Sequence, residues 1–465
     1  MALQREDGGI QPGIRVGILT IRLPFIHYRF EWIEFVEALI MCAACMSAIP
    51  YIVDVLEIPY ELAWSMVIIN GILYNLHSLL GDPVIPGWIT PSLPLTIAYL
   101  KGYGVMSDRI QAAIALQLMV AFFFFFMGVT GLAGKIVHGI PNTVKAGILL
   151  GAGFSSVYTE FAAKGRFGLY PITIGVSGFL LYFLMYSDVY RGWRERSKIL
   201  DMFGKMAMVV AFGTAIVLGP LVGELVGPRC ELGSIIKLPD IAGVLRLTLF
   251  HAGFPPLEFF IKGFSQAFVI YVIAFGDFVT ALALYDDAKL SRKDEFVDLN
   301  PNRSNLICGL RNGIQAIFCP YPNMSGPMWS AAYTITVARY KNGTRRDMDS
   351  LWSGVGTFRW ATLIGVMLVP VNGLLSNMLP VALSLSMLVQ GYICVMLSMQ
   401  FCRTGKDRGI CGVMAAILAA RGATFGLLAG FLLYMSLKSV EERRAEREEK
   451  RMALAAEEKA REAML

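Results

Sequence analysis

The sequence predicts an all-α integral membrane protein of about 14 transmembrane segments, arranged as two inverted repeats of seven. Three observations predict it. Of 465 residues, 55% are hydrophobic and 16% charged, and mean hydropathy is +0.57; soluble domains carry about 25% charged residues. The apolar runs leave room for about a dozen or more spans, each needing roughly 20 apolar residues. One apolar segment in each half is broken: Gly87-Trp88-Ile89-Thr90-Pro91-Ser92-Leu93-Pro94 and Tyr321-Pro322-Asn323-Met324-Ser325-Gly326-Pro327. Hydrocarbon offers no water to unpaired backbone groups, so extended chain at that depth must be buried by protein or line a polar cavity.

Charged residues punctuate the apolar runs and set the elements in order. The first half reads as spans at about 33–53, 61–80, 86–100, 110–133, 142–162, 169–188 and 204–223. A connection at 224–259 follows, with an amphipathic stretch near 241–250. The second half reads as about 260–285, 304–319, 321–338, 351–371, 375–400, 409–420 and 423–437. The last two are short and predict a tilted hairpin at the edge of the bundle. The domain organisation is therefore an N-terminal segment 1–32, a first repeat 33–223, the connection 224–259, a second repeat 260–437 and a charged tail 438–465. The broken segment is the third of each half, and an odd number of spans per half inverts the second repeat.

Loop charge sets the expected orientation. With the N-terminus cytoplasmic, inner loops hold Arg191, Arg194, Arg196, Lys198 and Lys205; Lys289, Arg292, Lys293 and Arg303; Arg339, Lys341, Arg345 and Arg346; and Arg403, Lys406 and Arg408. The outer loop at 54–60 holds neither Lys nor Arg, which fits the positive-inside rule. Both termini are then cytoplasmic and the chain sits in the plasma or inner membrane. Residues 1–30 scatter Arg5, Arg15, Arg22 and Arg29 and carry no signal-peptide pattern. The tail from Glu441 alternates charge and reads as a solvated helix. Eight cysteines follow no pairing or metal spacing, four histidines do not cluster, and no nucleophile–base arrangement points to an enzyme. No cofactor and no nucleic-acid partner is expected; the partners are the lipid bilayer and a small solute or anion.

Interrupted segments at matching places in two halves point to a transporter's substrate site. Each should run into a half-helix whose free N–H groups and positive dipole end face the midplane. Thr90, Ser92, Asn323 and Ser325 would add hydroxyl and amide groups there, while Trp88 and Trp329 would supply flat walls. Capping of the half-helices is the alternative role for the Ser and Thr residues. Asp277 lies in an otherwise apolar span, and an ionisable group at that depth is a functional candidate, here for a coupling proton or sodium ion. Glu34 and Glu37 would line an inner vestibule or lie at the interface. Arg359 is expected to snorkel. Asn70, Asn75, Arg311 and Asn312 read as packing and interhelical hydrogen bonds, and His77 falls near Asp82.

This organisation resembles the xanthine/uracil permease family of nucleobase:cation symporters, whose architecture is shared with sulfate permeases and bicarbonate transporters. Ile273-Ala274-Phe275-Gly276-Asp277 with the basic stretch from Lys289 is similar to the eighth span and its exit. Asn305 to Phe318 resembles the ninth, and Pro322-Asn323-Met324-Ser325 the strand of the tenth. Ile140-Pro141-Asn142-Thr143 is similar to the start of the fifth. The resemblance implies core and gate domains, a homodimer, and a coupled carrier for a planar or anionic solute such as a nucleobase. Two departures stand out. Met328 and Trp329 occupy the positions where the family binds the base, and the eighth-span acid falls on Phe275, leaving Asp277 as its nearest substitute. A sulfate-permease-like carrier of inorganic or carboxylate anions is the alternative, and an uncoupled anion channel another.

Overall fold

The computed structural model describes residues 3, 5–89, 92–133, 140–163, 165–227, 234–421 and 423–464. For 94, 95, 98, 265, 269, 272, 275–277, 279, 280, 283, 423, 424 and 453–464 it describes the backbone alone. A short hairpin, β1 (Ile14–Val16) and β2 (Leu19–Ile21), precedes α1 (Trp32–Met46), α2 (Ala48–Leu56) and α3 (Tyr60–Leu80). Pro59 opens α3 and Gly81, at φ +99°, closes it in the left-handed region that favours glycine. Next come β3 (Gly87–Trp88), α4 (Leu93–Lys101), α5 (Met106–Val129) and α6 (Asn142–Phe161). The first half ends with α7 (Pro171–Tyr186), α8 (Asp188–Arg194), α9 (Lys198–Lys205) and α10 (Ala207–Leu221).

The amphipathic stretch of the connection forms two short helices, α11 (Ile241–Leu245) and α12 (Leu249–Ala252). The second half holds α13 (Leu257–Ala288), α14 (Pro301–Phe318), β4 (Ser325–Gly326), α15 (Ser330–Asn342) and α16 (Leu351–Met367). Then follow α17 (Val369–Leu375), α18 (Leu379–Phe401), α19 (Gly405–Arg421), α20 (Ala423–Leu437) and the tail helix α21 (Val440–Met464). Asn300 caps α14, accepting from the N–H groups of Asn302 and Arg303, with Pro301 placed where a missing N–H costs nothing.

Among the described residues, four helical stretches are long and apolar enough to cross a membrane: Trp32–Leu56, Tyr60–Leu80, Met106–Val129 and Val369–Phe401. Counting two bent pairs, α7 with α8 (65°) and α9 with α10 (83°), makes six. The remaining expected spans are shortened or made polar by the features that mark the interior. The broken segments leave half-helices of 9 and 13 residues. α14 buries Arg303, Asn305, Arg311, Asn312 and Gln315. It still packs tightly, because a Cβ on Gly309 would lie 2.6 Å from the Phe125 nitrogen of α5.

Both chain ends are tied to this bundle. Arg5 donates to Asp294 (3.1 Å), which also takes two hydrogen bonds from Arg292 (2.6 and 2.8 Å). Glu31 accepts from the Asp349 N–H and from the Ser353 hydroxyl. The tail helix is mostly exposed where its side chains are described, as a solvated helix would be, and it also touches the bundle. The Glu446 carboxylate accepts the Asn142 N–H at the start of α6 (2.7 Å), and Lys450 donates to the Ile140 carbonyl (2.6 Å). An anionic side chain thus caps a helix N-terminus more than 300 residues away in sequence, |i−j| being 304.

Two predictions follow from these ties. Glu446→Ala removes a cap of the kind worth about 0.5–2 kcal/mol, so hydrogen exchange at 440–452 should quicken while the bundle stays protected. The Arg292 hydrogen bonds outweigh partial burial and hold the Asp294 carboxyl down at about 2, against 3.8. Its contribution to stability is full above the ordinary carboxylate range and is lost as pH falls through about 2. Acid titration of wild type should show that loss, and Asp294→Asn should not.

Candidate functional site

The two broken segments meet. β3 and β4 pair antiparallel, Gly87 opposite Gly326 and Trp88 opposite Ser325. Two further backbone bonds extend the ladder, from the Ile89 N–H to the Met324 carbonyl (2.9 Å) and from the Trp329 N–H to the Ile85 carbonyl (2.6 Å). A Cβ on Gly87 would lie 2.6 Å from the Trp329 Cβ, so this approach requires glycine.

A two-strand ribbon leaves its outer backbone groups unpaired, and side chains of the bundle take them up. Asn312 acts as a third strand, donating to the Ser325 carbonyl (2.8 Å) and accepting its N–H (3.2 Å). Arg311 donates to the Gly326 carbonyl (2.9 Å), and Arg359 to the Pro86 carbonyl (2.9 Å). Gln117 accepts the Tyr321 N–H (3.0 Å) and donates to Gln315, which donates to Asn70 Oδ1 (2.6 Å). The Ser325 hydroxyl is within 3.3–3.4 Å of Asn70, Gln315 and Tyr74.

In front of the ribbon is a narrow cavity of about 10 Å³, room for about one water molecule, lined by Cys45, Asn70, Tyr74, Gly87, Trp88, Tyr321, Trp329 and Arg359. Arg359 is 1% exposed, which corrects the expectation that it snorkels. Its Nε has no hydrogen-bond partner. Its guanidinium lies 4.6 Å from the Tyr74 ring centroid, and that of Arg311 lies 5.0 Å from the same ring.

The two cations differ in their compensation. Arg311 bonds His77 Nε2 (2.9 Å), and His77 Nδ1 bonds Asp82 Oδ2 (2.7 Å), all three side chains being fully buried. A guanidinium can only donate, so His77 Nε2 accepts and Nδ1 carries the proton given to Asp82. Arg311 is therefore balanced by Asp82 through a neutral imidazole. Arg359 is paired with no carboxylate among the described residues, its ion-pair and hydrogen-bond partners being the Pro86 carbonyl and the Cys45 thiol. Arg311, Arg359 and Asp82 together leave the ribbon with one net positive charge.

The sequence candidates fall in different places. Trp88 and Trp329 line the cavity. Ser325 is in the ribbon, and its hydroxyl belongs to the network behind it. Ser92 donates to the Ile89 carbonyl (2.7 Å), as a local turn. Asn323 is 2% exposed with neither amide atom partnered, and it does not line the cavity. Thr90 lies outside the described residues, as do the side chains of Phe275 and Asp277, whose backbone belongs to α13. Arg311 and Asn312 serve the ribbon rather than general interhelical packing; Asn75 only bonds Gly71 of its own helix. The signal for Arg359 was present in sequence, a cation inside the apolar run of α16.

A second, open depression of about 150 Å³ is lined by Glu34, Arg194, Lys205, Thr334, Arg339 and Asp347 among others. Arg339 pairs there with Glu34 (2.5 Å) and Glu37 and donates to the Lys205 carbonyl (2.7 Å). Glu34 lines this depression, while Glu37 is fully buried beside it.

The sequence matches no protein-family model and no curated protein. The fold matches solved transporters. The transmembrane domain of a cyanobacterium bicarbonate transporter, BicA, aligns with TM-score 0.51 at 15% identity, over 88% of this chain and 99% of that one. SLC26A9 aligns with TM-score 0.52 at 12% identity, over 88% of this chain and 65% of that one. The murine Slc26a9 anion transporter in its inward-facing state aligns with TM-score 0.49 at 13% identity, over 87% and 67%. The chain thus spans somewhat less than two thirds of the SLC26A9 chain, and it has the multi-pass membrane fold of the first two structures.

The side-chain strand sets a stability test. Asn312→Leu leaves the Ser325 N–H and carbonyl unpaired, each costing about 1–3 kcal/mol. Thermal unfolding in detergent should show a lower Tm for Asn312→Leu than for Asn75→Leu, which loses only a bond within its own helix.

Proposed function

We propose that this protein is a membrane carrier for small anions that works by alternating access. The observation that carries the reading is Arg359: a buried guanidinium with no described carboxylate partner, facing a cavity at the paired broken segments. A buried cation is costly unless an anion or hydrogen-bond acceptors compensate it. Asn70 adds directionality. Its Oδ1 is taken by Gln315, which leaves its amide N–H₂ as the donor end beside the Tyr74 and Tyr321 hydroxyls at the cavity wall. The α15 N-terminus follows Trp329 directly and adds its positive end. The likeness in fold to a bicarbonate transporter supports the same class of solute.

The wider arrangement is proposed with it. About 14 segments form two inverted repeats, 33–223 and 260–437, joined by 224–259 and flanked by 1–32 and 438–465, with core and gate moving about the cavity. Both termini face the cytoplasm in the plasma or inner membrane, and the depression around Arg339 is the inner vestibule. α15 would join the two spaces: Trp329 borders the cavity, and Thr334, Ala338 and Arg339 border the vestibule. Within this reading Thr90, Ser92, Asn323, Ser325 and Phe275 remain candidates at the substrate path, Asp277 remains a candidate for the coupling proton or sodium ion, and the carrier is a homodimer.

A second reading, a planar solute such as a nucleobase, rests on Trp88 and Trp329 walling the cavity. One assay separates the two. Proteoliposomes should accumulate bicarbonate, nitrate, formate or sulfate, and Arg359→Gln should lower that flux about 10–100-fold, the worth of a charge-assisted hydrogen bond. Arg359→Lys should retain part of it. Uptake of uracil or xanthine with no anion flux would overturn the anion reading.

A further inference from the structure

The ribbon's second cation, Arg311, holds a charge that one proton can unmask. We propose that the buried Asp82–His77 pair is the proton-binding element of this carrier, so that uptake of a proton there strengthens anion binding at Arg359. The inference rests on the anion reading above and deepens it by naming how the ion is coupled.

With His77 neutral, Asp82 compensates Arg311 and the ribbon carries one net positive charge. A proton on Asp82 leaves Arg311 uncompensated. A proton on His77 Nε2 removes the only acceptor His77 offers Arg311 and sets imidazolium against guanidinium. In both cases the net charge beside the cavity rises from one to two. Asp82 Oδ1 is buried and unpartnered, so a proton can be taken there without disturbing the bond to His77. Tyr74 transmits the change, because Arg311 and Arg359 lie over the same ring and that ring lines the cavity.

Few other titratable or charged groups face the pair. α14 brings Cys308, 3.7 Å from His77 Nε2, along with Arg311. α16 brings Arg359, and α15 brings Tyr333, which Asp82 acts on through space. α3 itself adds Tyr74. Strand β2 offers only Thr20, whose backbone sits against Gly81. Among these described groups Asp82 carries the one carboxylate, so a proton taken up here has no nearer acid to settle on.

Linkage makes the effect reciprocal: if a proton favours the anion, the anion favours the proton by the same factor. Anion binding to full-length protein in detergent would be measured calorimetrically with chloride, nitrate, formate and sulfate, whose charges are fixed between about pH 5.5 and 8.5. Wild type should bind more tightly as pH falls, approaching tenfold per pH unit, the limit for one linked proton. Heats measured in buffers of different ionisation enthalpy should report net proton uptake. His77→Gln keeps one acceptor for Arg311 and one donor for Asp82 but does not titrate. The slope should fall below about twofold per pH unit in Asp82→Asn; in His77→Gln it should persist if the proton sits on Asp82 and fall if it sits on His77. Asp277→Asn should keep the slope. A slope that survives in both His77→Gln and Asp82→Asn, or that vanishes only in Asp277→Asn, would overturn the assignment while leaving the anion carrier intact. Absence of binding by every anion at every pH would instead remove the anion reading and this inference with it.

Discussion

Everything at the centre of this molecule depends on a backbone ribbon two residues wide on each side, held inside a membrane bundle. Gly87–Trp88 and Ser325–Gly326 satisfy only each other's inner groups. The outer groups must be matched by side chains, since hydrocarbon supplies none. That requirement explains why α14 carries Arg311, Asn312 and Gln315 in a row of inward positions and why α16 carries Arg359 in an apolar run. A polar residue at these sites is the completion of a sheet, made from side chains because the neighbouring elements are helices.

The same completion creates the chemistry. Two of the groups that satisfy carbonyl oxygens are guanidiniums, and each carries a full charge into the interior. One is answered by Asp82 through His77; the other faces a cavity walled by two tryptophans. Structural need and ligand attraction are thus met by the same side chains. The charge imbalance that remains is what distinguishes this centre from a fully compensated polar core.

Much of the fold was legible in the sequence. Proline and glycine inside apolar runs marked both extended stretches, because neither residue supports a helix at that depth, and their matched positions pointed to a shared site. The partners of the ribbon were not legible. Asn70 and Arg359 stand in apolar surroundings and Arg311 beside Asn312, patterns equally compatible with interhelical bonding or snorkelling; only tertiary placement brings residues 70, 311 and 359 onto one ribbon. The tail's contacts with the bundle were hidden for a related reason. Alternating charge reads the same in a solvated helix and in one whose Glu446 caps a distant helix start. The lone acid of the eighth segment drew attention, while Asp82, in a loop beside glycine and proline, gave little sign of being fully buried.

The most direct measurement is an anomalous difference map from crystals grown in bromide, a small anion that is itself the scatterer. The account predicts a peak in hydrogen-bonding range of the Arg359 guanidinium, between Trp88 and Trp329 and in front of the paired strands. Bromide bound at the Arg339 vestibule or on the surface, with this cavity vacant, would contradict it.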